Sequence, residues 1–322
     1  MSPEPAQEAL LTIASDRLSA GITTFGAALW DLRLAGHDRS LVLGFATVAD
    51  YVASRTHAGS VVGRVCNRLG NGQARLGDRV LRLDRNVPPY HLHGGVTGFS
   101  QQRWRVAEHM PNSLTLALHS PDGHEGYPGN LSVRARYSVV GATLRLEFSG
   151  TTDAPTLLNM THHAYFNLSD RDTVDDHTVT LNATRYLESD ADLVPTGRLG
   201  TVEGSHLDFR HERTFREAQH PGTVVNHTMI LSDTPRLPLT HAATVAADRR
   251  LEVWTTQPAL HVYDGYRIAP GTPLRDGSHA GPRAGFCLEA QGWTDAPNHD
   301  GFVPIVLMPE EQYYQNIEYR FD

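Results

Sequence analysis

The chain contains no lysine: its 28 basic residues are all arginine, set against 36 acidic ones for a net charge of −8 over 322 residues. Without a lysine amine there can be no Schiff base, no anchored pyridoxal phosphate and no phosphate-loop lysine. Cysteine is almost as scarce. Cys66 and Cys287 stand far apart and form no C-x-x-C pair, so neither a zinc ribbon nor a disulfide framework is expected, and both read as buried thiols. No segment approaches the roughly 18 uncharged apolar residues of a membrane span. The opening MSPEPAQEALLTIASD carries glutamates where a secretory signal would carry a basic flank, so a cytoplasmic protein is expected. An acidic balance without blocks of like charge argues against a nucleic-acid or anionic-membrane surface and leaves small molecules as partners.

What is present is alternation. In TLRLEFSG, Leu144, Leu146 and Phe148 share one face and Arg145 and Glu147 the other, and LSVRARYSVV just before it repeats the pattern. LTLALH (Leu114 to His119) and TVTLNATRYL (Thr178 to Leu187) read as further strands, whereas Thr151 to Asp153 carries no clear signal. Helical period appears only briefly, around Thr47 to Ser54 and Glu212 to Gln219. The 28 glycines and 19 prolines are spread evenly, with no linker, fixed-period repeat or shift in composition. An all-β fold is expected, a large antiparallel sandwich with very little helix, forming one domain over residues 1–322. On such a sandwich, strand residues at i and i+2 point together into any groove on an outer face.

The 18 histidines are the unusual resource. Histidine has the unperturbed pKa nearest neutrality, and three pairs or singles sit in glycine- or amide-rich settings: His91 and His93 in PPYHLHGGVTGF, His162 and His163 in NMTHHAYFNL, and His227 in VVNHTMIL. Glu289, flanked by Phe286, Cys287 and Leu288, would be a carboxyl in a buried strand, where desolvation raises its pKa towards a useful general-base value. His91 and His93 on a strand would share a face with the spacing of a metal pair, yet no H-x-x-x-H or H-E-x-x-H companion appears, and no metal is expected. There is no G-x-S-x-G nucleophile elbow, and the β pattern denies a dinucleotide fingerprint its helix. Proton transfer remains. A histidine and a glutamate converging on a polyhydroxylated ligand, with arginine and amides holding hydroxyl groups, suit chemistry at a sugar's anomeric centre.

At this point the sequence resembles a known family. GRVCNRLGNG, HLHGGVTGF, SPDGHEGYPG, NMTHHAYFNL, VPTGRL, TTQPALHVYDG and CLEAQGWTDAPNH, with the closing VLMPEEQYYQNIEYRF, look like the successive motifs of the aldose 1-epimerases, the galactose mutarotases, in the family's order across nearly the whole chain. The resemblance implies the galactose mutarotase fold and an isomerase that interconverts α and β anomers of a free monosaccharide without cofactor. It implies His163, not His162, as catalytic acid and Glu289 as catalytic base. Asn67 and Arg68 match its sugar-binding pair and His93 its binding histidine. Asn226 and His261 occupy substrate-binding positions where the family usually has an aspartate and many members a glutamine, so the preferred aldose is expected to differ. Two alternatives stay open: a sugar-binding or regulatory module without turnover, and a hexose 6-phosphate 1-epimerase, for which Arg64 beside Arg68 would supply phosphate-neutralising charge. The chain is expected to act as a monomer or homodimer.

Overall fold

Period-two segments become strands wherever their apolar side chains find a common interior. In a computed structural model describing residues 10–54, 56–219, 223–234 and 238–322, the strand Thr143–Thr152 buries Leu144, Leu146 and Phe148 and leaves Arg145 exposed. It continues through Thr151 and Thr152, whose polar side chains had given no strand signal, because Leu131–Val140 pairs with it along its whole length. These two strands lie in a nine-stranded antiparallel sheet in the order Arg213–Thr214, Thr178–Leu181, Thr240–Ala246, Arg250–Thr255, Tyr313–Phe321, Thr143–Thr152, Leu131–Val140, Ser113–Ser120 and Arg105–Met110. A five-stranded antiparallel sheet has the order Pro195–Thr201, Arg185–Ser189, Asn226–Ile230, Ala259–Tyr263 and Cys287–Gln291.

The segment Thr178 to Leu187 is not one strand, as its alternation suggested, but two in different sheets. Thr178–Leu181 belongs to the larger sheet and Arg185–Ser189 to the smaller. Between them Asn182 still bonds to the neighbouring strand Thr240–Ala246, its N–H donating to Ala242 O at 2.9 Å and its side chain to His241 O at 3.2 Å, before the chain crosses to the second sheet. The two helical signals become single short helices, Val48–Ala53 and Phe215–Ala218. Each is opened by a threonine whose hydroxyl and backbone are bonded reciprocally with an acidic residue three positions on, Thr47 with Asp50 and Thr214 with Glu217.

One apolar cluster joins the sheets. Met229, Leu260, Val262, Leu288 and Ala290 of the smaller sheet pack with Leu116, Val133, Leu146, Phe148, Val253 and Tyr319 of the larger. Burial of each large side chain contributes about 1.5–3 kcal/mol. Alternation then decides where chemistry can sit. Because successive residues face opposite ways and residues two apart share a face, Asn226 and Thr228, His261 and Tyr263, and Cys287 and Glu289 are turned away from that core onto the outer face of the smaller sheet. Register brings them level: Thr228 stands opposite His261 and His261 opposite Glu289.

Candidate active site

A cavity of about 250 Å³ lies over that face, lined by Thr56, His57, Asn67, Arg68, Leu92, His93, His163, Tyr165, Asn226, His261, Tyr263, Arg267 and Glu289. The structure thus brings His163, Glu289, Asn67, Arg68, His93, Asn226 and His261 into one lining. Other candidates lie elsewhere. His91 was expected to share a face with His93, but the strand covers only His91–Leu92, and His93 adopts φ 53°, which rotates its ring away from His91. His91 turns inward, its Nδ1 at 2.7 Å from Asp84 O and its ring edge-on to Tyr127. His162 is core, with Nδ1 at 3.1 Å from the Tyr319 hydroxyl, and His227 points to the opposite side of its strand, against Tyr186 and His206.

At the centre, His163 Nε2 stands 3.6 Å from Glu289 Oε1. The ring is held on two sides: Tyr165 stacks on it at 5.1 Å between centroids, and Nδ1 lies 3.5 Å from Cys287 Sγ. Main-chain bonds fix its position, since His163 N–H donates to Ser60 O and Gly59 N–H to His163 O. Burial pushes the Glu289 carboxyl up to about 8, opposed by the nearby Arg68 charge. Burial likewise pulls His163 down to about 3, with His57 adding to the effect. Across the neutral range the two groups therefore hold one proton between them, on Glu289 in the main.

Arg68 is gripped by its neighbour. Asn67 Oδ1 accepts from the Arg68 N–H at 3.0 Å and from Nη1 at 3.1 Å, while the guanidinium lies over the Tyr90 ring at 5.0 Å. Asn67 has φ 60°, a left-handed geometry that asparagine tolerates better than most residues. Its N–H donates to His93 Nδ1 at 3.2 Å. That bond makes Nδ1 an acceptor, and burial holds His93 well below its ordinary pKa, so the ring is neutral with its proton on Nε2.

The same bond bears on metal binding. His93, His163 and Glu289 offer ligand atoms within 4.8 Å of one another, the donor set of many zinc sites. A histidine that ligates through Nε2 must keep its proton on Nδ1 and donate it outward. In His93 the Asn67 N–H already occupies that direction as a donor, which conflicts with ligation through Nε2, and the trio is better suited to proton handling.

Arg64, weighed as a phosphate ligand, is 1% exposed and faces inward. Its guanidinium donates to Ser120 Oγ and O, Pro121 O, Pro128 O, Gly129 O and Thr156 Oγ1 at 2.8–3.2 Å, which leaves nothing for a ligand. The aromatic residues of the lining are Tyr165 and Tyr263. Tyr165 lies within the NMTHHAYFNL motif and Tyr263 is set by its i+2 relation to His261. His57 and Arg267 come from loops whose sequence carried no signal.

The burial of Glu289 has a measurable cost. Between its ordinary value of 4.5 and about 8 the folded protein holds a proton there that the unfolded chain has released. Stability is accordingly expected to fall as pH rises through that window, by up to about 1.4 kcal/mol per unit. Glu289→Gln removes this slope. Urea midpoints at about pH 6.5 and about pH 8 should show the wild type losing more stability than the variant across the interval.

With the geometry described, likeness to known proteins can be placed beside it. Residues 9–320 match the family model described as aldose 1-epimerase. A galactose mutarotase of Mus musculus is 33% identical over 317 residues, covering 96% of this chain and 92% of that protein. An aldose 1-epimerase of Haemophilus influenzae is 32% identical over 334 residues, covering 99% and 97%. The crystal structure of an aldose epimerase homologue from C. elegans superposes with a TM-score of 0.92 at 28% identity, covering 98% of this chain and 99% of that one.

Proposed function

The chain belongs to the aldose 1-epimerase family and is an isomerase of the mutarotase type, and we propose that His163 and Glu289 exchange the protons that interconvert the α and β anomers of a monosaccharide. The observation that carries this reading is the pair itself: a carboxyl and an imidazole 3.6 Å apart, both buried, at the wall of one sugar-sized cavity.

The reaction needs one proton removed and one supplied. In the tautomer of the pair that has its one proton on His163, Glu289 as carboxylate takes the proton from the C1 hydroxyl. The electrons of that O–H bond form the C1 carbonyl, the C1–O5 bond breaks, and its pair on O5 takes the proton of His163. Rotation about C1–C2 presents the other face of the aldehyde, and the reverse transfers close the ring. Each group ends as it began, so the cycle requires no cofactor. Arg68, held by Asn67, supplies fixed donors to the vicinal oxygens, for which its planar fork is suited. His93 contributes an Nε2–H donor, its tautomer set by the Asn67 main chain.

Catalysis by this pair needs one proton, in either location. Above about pH 8 Glu289 loses it and nothing remains to protonate O5; below about 3 both groups are protonated and neither accepts. The expected kcat/KM profile for anomer exchange is level through neutrality and falls above about pH 8, by roughly tenfold per unit. A profile rising steadily through about pH 9 would remove Glu289 as the proton-holding group.

The alternative of a sugar-binding module without turnover is less favoured, because a pure binding site has no use for a buried, unpaired Glu289 Oε2. The substrate is a small-molecule sugar, as the cavity of about 250 Å³ over the smaller sheet supports. We place the whole chain in one domain on the strength of the single cluster that joins both sheets.

A further inference from the structure

Asn226 and His261 are joined in a chain of hydrogen bonds whose direction can be worked out atom by atom. Gln291 Nε2 donates to Thr294 Oγ1 at 2.9 Å. Thr294 Oγ1 lies 2.8 Å from Thr228 Oγ1, which lies 2.9 Å from His261 Nδ1, and His261 Nε2 is 2.8 Å from Asn226 Oδ1. An amide oxygen only accepts, so His261 Nε2 carries the proton. Burial keeps that ring neutral, so Nδ1 must accept from the Thr228 hydroxyl, and Thr228 in turn accepts from Thr294. Every donor is committed in one direction, away from Gln291 and towards Asn226. The Asn226 carbonyl thereby has one of its two lone pairs engaged by His261, and its Nδ2 amide is the donor left for the cavity. At this position the site offers a donor with no negative charge.

The surroundings carry the same sign. The lining holds two guanidiniums, Arg68 and Arg267, and a single carboxyl, Glu289, which burial keeps protonated at neutral pH. Among the described residues neither guanidinium forms an ion pair. Arg68 is 6% exposed, and its Nε is buried without a partner. Arg267 packs on Tyr266 at 5.2 Å and interacts with the hydroxyl of Tyr90, whose ring Arg68 covers. Its N–H donates to the Tyr263 hydroxyl at 3.0 Å, and Tyr263 stands opposite Asn226 in the ladder, so the Arg267 loop lies on the Asn226 side of the cavity. Unpaired cations beside an amide donor suit a charged acceptor far better than a hydroxyl, because hydrogen bonds to ionised groups are roughly twice as strong as neutral ones.

We infer that the site is built for an aldose bearing an anionic substituent, a hexuronate whose carboxylate is received by Asn226 and Arg267. The inference rests on the mutarotase reading above and names its substrate class. A carboxylate and a phosphate share this chemistry, and the test separates them. Anomer exchange is measured by magnetisation-transfer NMR for D-galactose, D-galacturonate and D-galactose 6-phosphate, with wild type, Asn226→Asp and Arg267→Gln. The readout is the ratio of kcat/KM for each anionic sugar to that for galactose. Asn226→Asp sets a negative charge against the substituent and is expected to lower the galacturonate ratio by at least about tenfold. Arg267→Gln is expected to lower it by about three- to tenfold, with added salt reducing the wild-type ratio in the same sense. A larger effect on the 6-phosphate ratio than on the galacturonate ratio would overturn the carboxylate assignment. Ratios unmoved by either substitution would overturn the inference altogether. Wild type that accelerates exchange of none of the three sugars would refute the mutarotase reading itself.

Discussion

Glu289→Gln is expected to slow enzyme-dependent anomer exchange by about 10²- to 10⁴-fold, and His163→Asn by a similar factor, the range that positioned general acids and bases supply. The physical reason is the shared proton. Burial holds Glu289 at about 8 and His163 at about 3, so the pair is singly protonated through neutrality and can give to one oxygen while taking from another. Either substitution leaves one group without a counterpart. Because the two act as a unit, the double variant should be scarcely slower than the worse single one. Multiplicative losses would mean that the groups act independently. Sugar binding is the control: Arg68, Asn67 and His93 are untouched by either change, so affinity measured by isothermal calorimetry should fall much less than turnover.

Arg64→Met is expected to destabilise the fold by about 3–5 kcal/mol, although Arg64 lies outside the cavity. Its guanidinium satisfies the main-chain oxygens of Ser120, Pro121, Pro128 and Gly129 and the hydroxyls of Ser120 and Thr156. It thereby fastens the turn between two long strands to the segment that carries Asn67 and Arg68. Each acceptor left buried without a donor costs about 1–3 kcal/mol, offset in part where water can enter. Arg64→Lys should recover only a fraction, since one ammonium carries three donors and no planar fork. Chemical denaturation of both variants checks the order, and a loss of stability smaller than about 1 kcal/mol for Arg64→Met would show that the turn does not depend on the clamp.

Where sequence and structure agree, one physical rule accounts for it. A side chain that alternates inward along Thr143–Thr152 needs no tertiary information to be placed, and the same rule puts Glu289 and Cys287 on one face of a buried strand. The rule fails where the backbone leaves the pleat. His93 lost its common face with His91 because its φ of 53° takes it out of the strand, and Thr178 to Leu187 divided because its second half finds its partners in the other sheet, Arg185–Ser189 pairing with Pro195–Thr201 and Asn226–Ile230. His163 could be separated from His162 only through the family motif, since nothing in the sequence tells which of two adjacent histidines turns to a site, and the structure ends the strand between them, at Thr161–His162. Arg64 had the right type and spacing for an anion ligand and is spent on carbonyl groups some 60 residues away in sequence. Arg267 could not have been foreseen, because a loop arginine acquires its neighbours only when the Tyr90 and Tyr263 segments meet.

Anomer exchange of freshly dissolved α-D-galactose, followed by polarimetry near neutral pH, tests the role of the pair most directly. Wild type should hasten the approach to the equilibrium rotation, and the His163→Asn/Glu289→Gln double variant, folded and still binding sugar, should leave it at the buffer rate. Acceleration by the double variant equal to that of wild type would contradict the assignment of proton transfer to these two residues.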